Sequence, residues 1–101
     1  MKKVYLYGFN GTYSGESKYN WSPPEKGDSH DCLLFLRQTE DAVNFEAATL
    51  EIANFGFVGV SDLKGNSLKV EALNSDLHRG FRGFYESALH DGSCLVFYPN
   101  T

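Results

Sequence analysis

The stretch from Cys32 to Gly56, CLLFLRQTEDAVNFEAATLEIANFG, decides the fold because its hydrophobic period changes partway along. Cys32-Leu33-Leu34-Phe35-Leu36, closed by Arg37, is a continuous apolar run and reads as a buried strand. Thr39 then stands as a helix N-cap, with Glu40 and Asp41 where carboxylates meet the positive end of a helix dipole. Phe45, Ala48, Ile52 and Phe55 recur at three- and four-residue spacing and form one apolar stripe, and Gly56 occupies the position of a C′ glycine. Glu40, Asn44 and Glu51 fall on the opposite side of this helix, an acidic face expected to meet solvent.

Beyond Gly56, Phe57 to Val60 and Ser67 to Leu73 read as strands, the second alternating at Leu68, Val70 and Ala72. Lys64-Gly65-Asn66 supplies a turn between them, which predicts a hairpin. Asn74 or Ser75 can cap a second helix in which Leu77, Phe81, Phe84 and Ala88 share a face, ended by Gly92. Cys94 to Tyr98 is the last strand. Before Cys32, Val4-Tyr5-Leu6-Tyr7 is a β-type run ended by Gly8, Asn10 and Gly11, and residues 8–31 read as one long polar loop. That loop holds Phe9, Tyr13, Tyr19 and Trp21, rings expected to dock on the core or await a partner. With the first strand set aside, the order is β-α-β-β-α-β, the split pattern of ferredoxin-like domains. The expectation is one α+β domain over residues 1–101, in two layers, with a mainly antiparallel sheet and two helices on one face.

Composition fits that expectation. The 101 residues are 42% hydrophobic and 22% charged, enough apolar material for one core. Aromatic residues reach 15%, so ring packing must supply much of that core. The apolar run after Met1-Lys2-Lys3 dies at Gly8, too short for a secretory h-region, and no stretch approaches a membrane span; a cytoplasmic protein is expected. Cys32 and Cys94 each open an apolar run and read as reduced, buried thiols.

Chemical sites are weakly indicated. His30-Asp31-Cys32 and His90-Asp91-Gly92-Ser93-Cys94 together offer two His and two Cys, a tetrahedral zinc set in composition but without the short paired spacing of zinc sites. A hydrolytic site could draw on His30, His78 or His90 with Asp31 or Asp91, yet no nucleophile elbow, His-Glu-x-x-His or phosphate-cradling glycine loop is present. A small metal-binding or hydrolytic enzyme built on His30, Cys32, His90 and Cys94 is therefore the second reading, and no cofactor is expected. The doubled Arg79-Gly80-Phe81-Arg82-Gly83-Phe84 unit has an RNA-binding flavour, but it also fits an amphipathic helix whose glycines admit another backbone. A net charge of −4 argues against a polyanion partner.

The charge distribution is more distinctive. No Lys or Arg lies between Arg37 and Lys64, while Glu40, Asp41, Glu46, Glu51 and Asp62 all do. Such a segment lacks the i,i+4 partners of an ordinary solvated helix and would steer a basic surface into encounter. With Tyr13, Tyr19 and Trp21 nearby in sequence, this compact acidic character resembles bacterial immunity proteins, the cytosolic inhibitors of cognate toxin domains, including those of contact-dependent growth inhibition systems. The resemblance implies occlusion of a basic toxin domain such as a nuclease. Glu40, Asp41, Glu46 and Glu51 would be its electrostatic contacts, with Tyr13, Tyr19 and Trp21 as flanking rings.

Overall fold

A computed structural model describes residues 3–21, 23–67 and 82–98. The chain runs through β1 (Lys3–Tyr13), β2 (Ser29–Gln38), α1 (Phe45–Asn54), β3 (Phe57–Ser67), α2 (Arg82–Asp91) and β4 (Ser93–Phe97). The four strands form one sheet in the order β3-β1-β2-β4, every neighbouring pair antiparallel. The α+β class holds, and the N-terminal strand is one of the two central strands. β2 and β3 both run antiparallel to the β1 between them, so α1 is the crossover of a split β-α-β unit.

β1 does not stop at Gly8. It pairs with β2 without a bulge from Lys3↔Gln38 to Thr12↔Ser29, so the loop expected over residues 8–31 shrinks to residues 14–28. The reason lies in parity: Tyr5, Tyr7, Phe9, Gly11 and Tyr13 continue one face of the strand. Gly11 serves packing there, because a Cβ would stand 3.1 Å from the Phe9 ring and 3.3 Å from the Phe57 ring. The turn expected at Lys64-Gly65-Asn66 is likewise strand, with Lys64 opposite Gly8 and Gly65 opposite Tyr7. Gly65 lets the Tyr7 ring and Val43 close over the backbone. Of the strand expected over 67–73, only Ser67 is described, and it ends β3; the rest, with the Asn74 or Ser75 cap, Leu77 and Phe81, lies outside the described residues.

The two helices cover opposite faces of the sheet, which corrects the expectation of both on one. Ala48, Ile52 and Phe55 from α1 pack with Tyr5, Tyr7, Phe9, Cys32, Leu34 and Leu95. Ala88 of α2 packs with Val4 and Phe35 on the other side, flanked by Leu6, Leu33, Phe84 and Val96. The unbroken apolar run of β2 is the mark of a strand covered on both faces. Arg37 fastens α2 to that second face: Nη1 donates to the Leu89 carbonyl at 2.7 Å and the Arg37 amide to the Gly92 carbonyl at 2.9 Å.

α1 starts at Phe45 under an Asn44 cap, whose side-chain oxygen accepts from the Ala47 amide at 3.0 Å. Thr39 is not the cap, and Glu40 and Asp41 precede the helix. A buried polar relay holds this entry out of helix: the Asn44 amide donates to the Tyr7 hydroxyl (2.8 Å), which donates to Gln38 Oε1 (2.8 Å), and Gln38 Nε2 donates to the Ala42 carbonyl (2.8 Å). Gly56 does close α1, at φ +97°, its amide bonded to the Ala53 carbonyl. A side chain there would also run into the Glu16 carbonyl and the Tyr13 ring.

Gly56→Ala should therefore cost more than about 1 kcal/mol of stability. Substitution by Ala of Gly83 in α2, with nothing among the described residues within 4 Å of an added Cβ, should gain up to about 1 kcal/mol. Urea denaturation of the two variants against the parent checks both signs.

Candidate functional site

The acids of the one-signed segment do not form a single free patch. The Lys3 ammonium pairs with the Asp41 carboxylate. Glu40 is exposed, and bonds from its own amide and from the Asn44 side chain hold its carboxyl below the usual range. Asp62 lies at a β3 irregularity with φ +56°. Glu46 is exposed in the first turn of α1, where it complements the helix dipole. Three large apolar side chains in and just before this helix are also exposed: Leu50 at 63%, Phe45 at 43% with its ring edge-on to Tyr7, and Val43, ahead of the Asn44 cap, at 37%. Leu50 stands one turn along from Glu46 on the same side. Sequence reasoning missed these three as surface residues, although a leucine off the Phe45-Ala48-Ile52-Phe55 stripe was the available signal.

Glu51 has a different fate. It is half-buried, and its carboxylate accepts from the Tyr19 hydroxyl (2.6 Å), the Asn54 side chain (3.0 Å) and the Ser93 hydroxyl (2.5 Å). Burial pushes its pKa up, but the Ser93, Tyr19 and Asn54 bonds outweigh this and hold the carboxyl below its ordinary value. The same bond to Glu51, aided by burial, raises the Tyr19 phenol. One carboxylate thus ties α1, the 14–28 loop and β4 together.

The loop rings dock on the core. Tyr13 is buried. Trp21 is half-buried, its ring centroid 5.3 Å from Phe55, 6.0 Å from Phe57 and 6.1 Å from Phe97. Tyr19 stays 39% exposed, stacked edgewise on Phe55 at 4.8 Å. The loop backbone is pinned to the end of α1 by bonds from the Ser14 amide to the Gly56 carbonyl and from the Lys18 amide to the Asn54 carbonyl, both 2.8 Å. These bonds satisfy carbonyls that a helix end leaves open. Beside this knot lies a cleft of about 400 Å³, walled by Tyr19, Trp21, Phe55, Asp91, Ser93 and Leu95. Its volume is in the range of small-ligand sites.

His30, Cys32, His90 and Cys94 are not brought together. Cys32 packs in the cluster under α1 and Cys94 against the cluster under α2, on opposite sides of the sheet. His90 projects from α2 into solvent, while His30 is buried with Nδ1 donating to the Tyr98 carbonyl at 2.8 Å. Burial, with the Asp31 charge, pushes the Cys32 thiol up to about 12, and burial with Asp91 also raises Cys94. Protonated thiols are poor metal ligands and poor nucleophiles. Among the described residues no three His, Cys, Asp or Glu are grouped to hold a metal ion. His90 does meet Asp91, at 2.7 Å, but on the surface, and Ser93 nearby is bonded to Glu51 instead. His78 and Arg79 to Phe81 lie outside the described residues; Phe84 packs on Phe35 at 5.7 Å, and among the described residues no neighbouring backbone approaches Gly83.

No helix among the described residues is long and apolar enough to cross a membrane. Comparison of the chain with known protein families, curated proteins and solved structures finds no match.

Because the folded pKa of Glu51 is depressed, the stability it contributes is present above its unfolded value and lost as pH falls through the folded one. The stability difference between parent and Glu51→Gln should therefore be largest above about pH 5 and shrink on acidification, read from denaturant midpoints along a pH series. A thiol-specific chromogenic reagent should leave Cys32 unlabelled in native protein at neutral pH and label it fully once the chain is unfolded.

Proposed function

We propose that this protein is an acidic binding domain that neutralises a basic protein partner by covering it, as an immunity protein covers its toxin domain. The observation that carries the reading is the outward face of α1. There Leu50 stands exposed one turn along from Glu46, and at the helix entry Val43 and Phe45 are also exposed, near Glu40 in the chain. Exposed apolar side chains edged by one sign of charge are the makings of a protein interface, with a ring and a leucine to bury and carboxylates to steer.

The contribution of the acids is unequal. Glu46 is fully displayed, and Glu40 is displayed and held ionised. Asp41 already shares its charge with Lys3, and Glu51 is held within the fold. Of the rings, Phe45, edge-on to Tyr7, and Tyr19, edge-on to Phe55, reach the surface, while Tyr13 is buried and Trp21 half-buried against Phe55 and Phe57. A cognate nuclease is a fitting target, since a surface evolved for phosphate presents Lys and Arg to such a face.

The test uses a basic toxin domain encoded beside this chain, titrated by surface plasmon resonance. Joint Glu40→Gln and Glu46→Gln substitution should slow association about tenfold at low salt, and the deficit should fade as salt is raised. Phe45→Ala with Leu50→Ala should instead speed dissociation by at least about tenfold. Binding that ignores both pairs of changes would refute the α1 interface.

A further inference from the structure

The cleft beside Glu51 combines three features and shares only the Tyr19 ring with the α1 interface. Its walls include the rings of Tyr19, Trp21 and Phe55 together with the apolar side chain of Leu95. Asp91 is a wall residue, its carboxylate largely exposed at the rim, and Glu51 is bonded to the hydroxyls of two other wall residues, Tyr19 and Ser93. Among the described residues no Lys or Arg lines the cleft, and none pairs with Glu51 or with Asp91, whose carboxylate meets the His90 ring at 2.7 Å.

Neutral donors satisfy the lone pairs of Glu51 without cancelling its charge. A half-buried carboxylate in that state projects a negative potential into the adjoining low-dielectric space, and Asp91 adds to it. Aromatic faces reinforce the same preference, because their quadrupoles attract cations and their area packs well against methylene groups. An anion would be repelled. A neutral ligand would gain the apolar contacts but forgo the field.

We propose that this cleft seats an organic cation, an ammonium or guanidinium group on a short aliphatic stem, with the stem against Phe55 and Leu95 and the charge towards Asp91 and Glu51. The site goes beyond the α1 interface and stands or falls separately from it. Either a free amine or a Lys or Arg side chain of a polypeptide has the required chemistry. Both present the same cationic head on a stem that fits a space of about 400 Å³.

Trp21 is the sole tryptophan of the chain, so its emission reports on the cleft directly. Titration with butylammonium and butylguanidinium should change that emission saturably. Butanol, with the same stem and no charge, should bind at least about tenfold more weakly, and butyrate should not bind. Asp91→Asn, at an exposed position that leaves the fold intact, should weaken butylammonium severalfold, and Glu51→Gln should weaken it further. Titration with a capped Gly-Lys-Gly peptide separates the sources: saturation by the peptide assigns a protein side chain, whereas saturation by butylammonium alone assigns a free amine. The proposal is overturned if butanol matches butylammonium, if neither cation gives a saturable change, or if both carboxylate variants bind butylammonium as the parent does.

Discussion

The uninterrupted ladder between β1 and β2 is the constraint from which the rest of the molecule follows. By pairing Lys3 with Gln38 and continuing in step to Thr12 opposite Ser29, it fixes which side chains of the central strands share a face. A slip of one residue would exchange the two faces entirely. In the register adopted, Tyr5, Tyr7 and Phe9 meet Cys32, Leu34 and Leu36 under α1, while Val4, Leu6, Leu33 and Phe35 form the floor for α2. The edge strands add to an alternation already set, with β3 absorbing its mismatch at Gly59 and Asp62, both at positive φ.

That register also organises the polar interior. Tyr7 lies on the α1 side, where its hydroxyl can join Gln38 to the Asn44 amide and so fix where α1 begins. Tyr7 is fully buried at that junction, and this burial raises its phenol. At the other end of the helix, Glu51 gathers hydroxyls from Tyr19 and Ser93, elements far apart in the chain. The start of α1 is thus set by a neutral relay and its far end by a charged one. The charged knot borders an aromatic-walled cleft, and past the neutral relay Glu46 and Leu50 lie exposed on the helix. Both proposed interaction surfaces are therefore consequences of how one ten-residue helix is moored.

Much of this was legible in the residues. The stripe from Phe45 to Phe55 and the glycine at 56 identified α1 and its end, and the apolar runs at Cys32 and Cys94 identified two strands. Glycine was the misleading signal. Gly8, Gly11 and Gly65 read as punctuation, yet all three lie within strands, and the latter two are sites where a ring closes over the backbone. A glycine chosen for close packing and one chosen for a turn look alike until the neighbouring ring is known. The acidic segment misled in another way, because whether a carboxylate is free depends on donors distant in sequence: Lys3 for Asp41, Ser93 for Glu51.

By itself the amino-acid order determined the class of the fold, the helical stripe, the burial of the Cys32 strand and the one-signed charge between Arg37 and Lys64. These follow from local period and composition, which each segment carries within itself. Only the tertiary structure decided that the helices take opposite faces, that the two thiols and two histidines stay apart, and that Glu51 is bound inward while Leu50 looks out. Those outcomes turn on strand register and on partners dozens of residues away, quantities that no local pattern encodes.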